Sequence, residues 1–197
     1  MNKKRYGSYI VVAVLILLTI YSITTYNKLV GKEEMVKKQW NEVNSSYQRR
    51  VDLIPNLVNV VKGQADFEQT VLKQLTEARA KVTNTTVSAG ELNADNFNKQ
   101  TAVQNELATA ASRLLITVEK YPELKGTEAF AGLQTQLEGT ERRIKVARKD
   151  FNAAVADYNS SVKSFPTNIV GGLFGFKAKE GFQSDAGADK SIEVKFN

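Results

Sequence analysis

Neither cysteine nor histidine occurs anywhere in the 197 residues. The first absence removes thiol nucleophiles, disulfides and thiolate metal sites; the second removes imidazole ligands and the usual general base near neutral pH. A di-metal helical bundle built on Glu-x-x-His motifs is excluded with them. Nucleotide and acyl-transfer signatures are missing too: there is no GxxxxGK[ST], no nucleophile elbow and no glycine-rich phosphate loop behind a strand. GGLFG at 171–175 is too apolar for a phosphate loop and follows a helical pattern. Glu68 and Glu77 are the sort of carboxylate pair acid–base chemistry uses, but any charged helix shows such a separation by accident. The chain therefore reads as a non-enzyme, with no catalytic residue, no cofactor and no metal. The lack of cysteine does not set the compartment, since oxidising and reducing spaces both tolerate it.

A footprint for nucleic acid is also lacking, although the formal charge is +6. Residues 1–50 hold nine Lys/Arg against three Asp/Glu, and 51–197 hold eighteen of each. A neutral body does not track a phosphate backbone. The excess sits instead around the one stretch that water cannot solvate, YIVVAVLILLTIY at 9–21. With its flanks, 6–23 is free of charge, close to the roughly 20 residues that cross a bilayer as a helix. Tyr6, Tyr9, Tyr21 and Tyr26 flank the run where amphipathic rings favour the interfaces. A cleaved signal peptide is the rival reading; the following SITTYNKLV offers no small-x-small site, which favours an uncleaved anchor. Lys28, Lys32, Lys37 and Lys38 follow the span and suit anionic lipid, or equally a solvated helix face. Lys3, Lys4 and Arg5 favour an N-terminus inside and a body outside the cytoplasm, against competition from those four lysines.

The remainder is helical in period and punctuated by three prolines, 55, 122 and 166. Apolar residues recur at helical spacing, in steps of three or four with wider gaps of seven or ten, at Leu29, Val36, Trp40, Val43, Tyr47; at Leu57, Val61, Gln64 (a polar member), Phe67, Val71, Leu75, Ala78, Val82; at Phe97, Leu107, Ala111, Leu114, Val118; and at Phe130, Leu133, Leu137, Ile144, Ala147, Phe151, Ala154, Tyr158, Val162, Phe165. Proline costs about 3 kcal/mol inside a helix and little in its first turn. The pattern thus predicts a break near 50–52, with Asp52 as N-cap, Pro55 in the first turn, and Arg49 and Arg50 closing the preceding helix. Asp95 is expected to cap the third helix and YPELKGTE to turn into the fourth. The expected organisation is all-α: a basic tail at 1–8, a transmembrane anchor at 9–25, an up-and-down antiparallel four-helix bundle at 26–165 (about 26–50, 53–84, 94–121, 126–165), and an irregular tail at 166–197. Antiparallel packing returns the fourth helix to the membrane, so Phe174, Phe176 and Lys177 are candidate interface contacts, or else fillers of the bundle's flank. SIEVKF near the end alternates, and is too short to be more than an extended tail.

QRRVDLIPNLVNVVKG at 48–63, with TEARA at 76–80, resembles the most characteristic segment of the LemA family of bacterial membrane proteins. ARKDFNAAVADYNSSVKSFPTNIVGGLFGFK at 147–177 resembles that family's other signature, and YNKLVGKEEMVKKQWNEV and the late VKF are similar as well. The resemblance covers nearly the whole chain from Tyr26 onward; Phe151 stands where the family often has Tyr. It implies an N-terminal anchor and an up-and-down helical bundle. It implies no established biochemical activity; some relatives are linked to magnetosome formation or lie beside membrane proteases, which points to envelope or membrane-organising roles.

Three polar groupings are candidates for function. Arg49, Arg50, Asp52, Asn56 and Asn59 form either a site at the membrane-distal end, holding a carboxylate or phosphate, or merely a set of caps and loop bonds. Arg142, Arg143, Lys145, Arg148 and Lys149 are expected to pair with Glu138, Glu141 and Asp150 on one solvent face. Asn152, Tyr158 and Asn159 are expected to form a buried network that fixes register. The leading functional expectation is a single-pass scaffold or adaptor in the bacterial cytoplasmic membrane, working through unidentified membrane proteins, self-association or lipid. The alternative is a ligand-binding module centred on Arg49–Asn59.

Overall fold

The computed structural model describes residues 3–63 and 67–182. Among them every regular element is helical. The first, α1 (Lys3–Lys62), is a single helix of 60 residues, about 90 Å long at 1.5 Å per residue. It starts inside what was expected to be the basic tail and carries the apolar run, whose side chains from Tyr9 to Ile20 are exposed, as is Ile23. In and just past that run Thr19, Ser22 and Thr24 donate their hydroxyls to the carbonyls of Leu15, Leu18 and Ile20, so these three side chains need no water.

The break expected at 50–52 does not occur. α1 continues through Asp52 and Pro55 and ends at Gly63 instead. Two physical facts outweigh the proline. Val51, Ile54, Leu57, Val58 and Val61 are all buried in one core cluster, and burying each is worth about 1.5–3 kcal/mol. The carbonyl orphaned by a proline at 55 belongs to Val51, four residues back, and the Arg79 Nε donates to it at 3.2 Å. Asp52 is therefore no cap; it is exposed mid-helix and accepts from Gln48 Nε2. Replacing Arg79 with Met is expected to cost about 1–2 kcal/mol, the usual penalty for a backbone carbonyl left unpaired. Urea melts check this; an unchanged midpoint would mean that water replaces the guanidinium freely.

After the turn come α2 (Gln69–Thr83), a single 3₁₀ turn (Ala89–Glu91) and α3 (Ala94–Val118), then α4 (Pro122–Lys125), α5 (Glu128–Lys163) and α6 (Thr167–Leu173). Position 64 lies outside the described residues, so the seam between α1 and α2 is followed only on either side of it. α3 is capped by Asn93, whose side chain accepts from the Asn96 amide at 2.9 Å, and not by Asp95, which is the second residue of the helix. Val87, in the otherwise polar loop, is held from three sides. Its carbonyl accepts from Trp40 Nε1 and Asn44 Nδ2, and its amide donates to Gln100.

Cross-helix partners give the directions. Lys32 meets Asp157, Tyr47 meets Arg148 and Arg50 meets Glu141, so α1 and α5 run antiparallel. Glu68 meets Lys120, Gln74 meets Arg113 and Lys81 meets Glu106, so α2 and α3 do as well. The core is in two parts. One contains Val51 to Val61 of α1 with Leu75, Leu107, Leu114 and Leu137; the other contains Val36, Trp40, Val43 and Tyr47 with Phe97, Ile144, Phe151 and Tyr158. Between them lies a polar layer of Arg50, Gln104 and Thr140, each 1–2% exposed.

The segment after α5 is more ordered than an irregular tail. α6 packs Val170 and Gly171 inward, with Gly171 against Leu29; the chain turns at Gly175, and residues 176–182 then run along α5. SIEVKF falls outside the described residues.

Candidate functional site

The five residues of the first polar grouping share α1 but not a face. Arg50 is buried, whereas Arg49, Asp52, Asn56 and Asn59 are exposed. The Arg50 guanidinium donates from Nε and NH2 to the two oxygens of Glu141, and from NH1 to both the main-chain and side-chain oxygens of Gln104. This is a bidentate fork with its carboxylate supplied from within the chain. Because α1 runs on to Lys62, Arg50 also lies three turns short of the helix end. Arg49 instead joins Arg142 and Arg143 around an open surface cleft of about 650 Å³, where Glu42 and Asp150 offset two of the three positive charges.

The second grouping is rearranged likewise. Among the described residues no ion pair joins two members of α5. Glu141 is taken by Arg50, and Arg148 turns inward, donating to the Tyr47 hydroxyl and to Asn105 Oδ1. Long-range partners win because Glu141 and Arg148 point along the α1–α5 seam, where partial burial strengthens a charge-assisted bond that water weakens on an open face. Burial, only partly offset by Arg148, pushes the Tyr47 hydroxyl above its ordinary pKa. Burial and the Glu33 carboxylate push Tyr158 up to about 12. Glu68 and Glu77 do not face each other; each meets a lysine, Lys120 and Lys73.

The third grouping, Asn152 and Asn159, reaches neither each other nor Tyr158: both side chains bond the main chain of the extended segment.

Exposed apolar side chains gather around α6, which packs on α1 at Leu29, just past the hydrophobic run. Phe165, Ile169 and Leu173 stand four residues apart around α6 and are 81%, 63% and 81% exposed, with Phe174 beside them. The Phe174 ring lies 5.0 Å from Tyr26 and closes a groove of about 530 Å³ with Leu15, Leu18, Ile23 and Tyr26. Of the expected interface residues, Phe174 and Lys177 are exposed there, whereas Phe176 is half-buried, 5.6 Å from the Tyr26 ring and packed on the core. Ile169 and Leu173 were not singled out from the sequence; Phe165 was expected to close the buried seam of the fourth helix, but α5 ends at Lys163 and its ring is exposed. The i, i+4, i+8 spacing of the three was the available signal, hidden by the glycines at 171 and 172. Lys32 and Lys37 of the juxtamembrane basic set are held by Asp157 and Glu34.

Comparison with known proteins places these features in context. The model of the LemA family matches residues 39–196. The magnetosome protein MamQ 2 of Paramagnetospirillum magneticum is 26% identical over 188 residues, covering 85% of this chain and 68% of its own. MamQ of Magnetospirillum gryphiswaldense is 25% identical, covering 93% and 75%. The protein LemA of Metamycoplasma hominis is 20% identical, covering 73% and 62%.

Proposed function

The chain belongs to the LemA family, and from that premise we propose that it is a non-catalytic scaffold or adaptor anchored in the bacterial cytoplasmic membrane. Residues 9–25 cross the bilayer once, and α1, α2, α3 and α5 form an up-and-down four-helix bundle outside the cytoplasm. It acts through protein and lipid contacts. The similar magnetosome proteins bear the name of an assembled structure, which supports an organising role. A ligand module centred on Arg50 is less well supported, because that guanidinium already has its carboxylate.

The observation that carries the reading is the apolar foot. Water-facing Phe165, Ile169, Leu173 and Phe174 are unfavourable, and Phe174 closes a groove with the exposed apolar run of α1. Laid in the interfacial zone, they leave water while Lys177 stays at the headgroups.

The absence of native cysteine allows a clean test. Nitroxide-labelled Ile169→Cys and Leu173→Cys in vesicles are expected to be shielded from a water-soluble relaxant and exposed to oxygen. Val146→Cys, exposed on α5, is the aqueous control. Equal aqueous access at all three positions would sink the lipid-contact reading.

A further inference from the structure

Asn152 and Asn159 stand two turns apart on α5, a rise of about 10.5 Å. Three residues of extended chain span about 10 Å. This match lets the two side-chain amides meet residues 182 and 179, antiparallel to the helix. Asn159 Nδ2 donates to the Lys179 carbonyl and its Oδ1 accepts from the Lys179 amide, both at 2.8 Å. Asn152 does the same with Phe182, again at 2.8 Å for each bond. Each asparagine thus behaves as a strand partner would, reading main chain rather than side chain.

Selectivity comes from the flanking pockets. The Phe182 ring lies 4.8 Å from Phe97, 5.6 Å from Phe151 and 6.2 Å from Trp40, with the Arg148 guanidinium 4.7 Å above it. Lys179 Nζ is 2.8 Å from a Glu33 oxygen and 5.5 Å from the Tyr158 ring. A Cβ at position 181 would stand 2.8 Å from Asn152 Oδ1, so glycine allows the close approach. Clefts of about 550 and 540 Å³ adjoin the segment at either end.

We propose that this face is a peptide-binding groove which takes an extended Lys-x-Gly-Phe segment of a partner protein, residues 179–182 filling it in cis until that partner binds. The choice of partner rests on what the occupant displays: a carboxylate for a lysine, an aromatic box for a phenylalanine, and two amide clamps that any extended chain satisfies. The proposal deepens the adaptor reading and rests on it for its purpose. Its geometry is independent of the lipid foot, so failure here leaves the labelling result at 169 and 173 standing.

The test uses the full-length chain in lipid nanodiscs and a fluorescein-labelled peptide KAKEGF, the sequence of residues 177–182. A tethered occupant competes at an effective concentration near millimolar. The Phe182→Ala protein, its own plug weakened, is therefore expected to bind the peptide saturably and at least tenfold more tightly than the unaltered chain. Adding Asn152→Ala and Asn159→Ala should remove at least tenfold of that affinity. If Phe182→Ala loses its helical melt, Gly181→Val serves instead, since it ejects the segment and keeps the ring. No saturable binding by a folded variant, or binding indifferent to both asparagines, overturns the proposal. A dimer of the unaltered chain that Phe182→Ala dissolves would assign the groove to a second copy and overturn the partner assignment.

Discussion

Glu141→Ala is expected to destabilise the helical body by about 3–5 kcal/mol, the range for a buried charge stripped of its partner. Arg50 is 2% exposed and receives both oxygens of Glu141, whose side chain is 43% exposed. Without them the guanidinium keeps only Gln104 in a layer between two hydrophobic cores. The reverse change should be milder. Arg50→Met removes the charge that needs compensation, and Glu141 turns to water; the cost is roughly 1–3 kcal/mol, mostly for the Gln104 oxygens left behind. Chemical melts of the two variants give the order. If Arg50→Met were the more damaging, the stability of the layer would come from the arginine's packing rather than from charge pairing. If Glu141→Ala were silent, Arg50 would have a donor free for a ligand, and the ligand-module reading would regain its case.

Ile144→Asp is expected to abolish the cooperative helical melt altogether. Ile144 is 3% exposed in the core that contains Trp40, Phe97 and Phe151. The nearest cation, Arg148 one turn on, is already held by Tyr47 and Asn105, and the desolvation of an ionised carboxylate there rivals the roughly 5–15 kcal/mol that hold a whole domain together. Leu137→Asp, 4% exposed in the other core, should act likewise. Circular dichroism distinguishes the cases. A melt like the parent's for one variant alone would show that its core is dispensable, and that the polar layer divides the body into two independently stable halves.

Most of the seam residues were legible because each helix buries one face, and a 3.6-residue period writes that face into the chain. Leu29, Trp40, Leu75, Leu114 and Phe151 were all identified from spacing and all prove buried. The end of α1 was misread because the proline penalty is local, whereas its compensation comes from Arg79, 28 residues on. The polar groupings were misread for the same reason. Spacing on one helix predicts neighbours on that helix, but Arg50, Glu141 and Arg148 spend their hydrogen bonds across helices. Asn152 and Asn159 were recognised as buried polar groups near a seam; nothing in their spacing revealed an extended segment twenty to thirty residues further along.

By itself, then, the sequence determined the apolar run, the helical class and the chemistries that are out of reach. Transfer free energy, helical period and side-chain inventory are properties of the chain read locally. The tertiary structure alone decided that α1 runs unbroken through Pro55, that a buried Arg50 pairs with Glu141 rather than waiting for a ligand, that α6 leaves Ile169 and Leu173 exposed, and that two asparagines grip residues 179 and 182. Each of these depends on which distant group arrives to satisfy a carbonyl, a charge or an amide, and that is settled only when the helices pack.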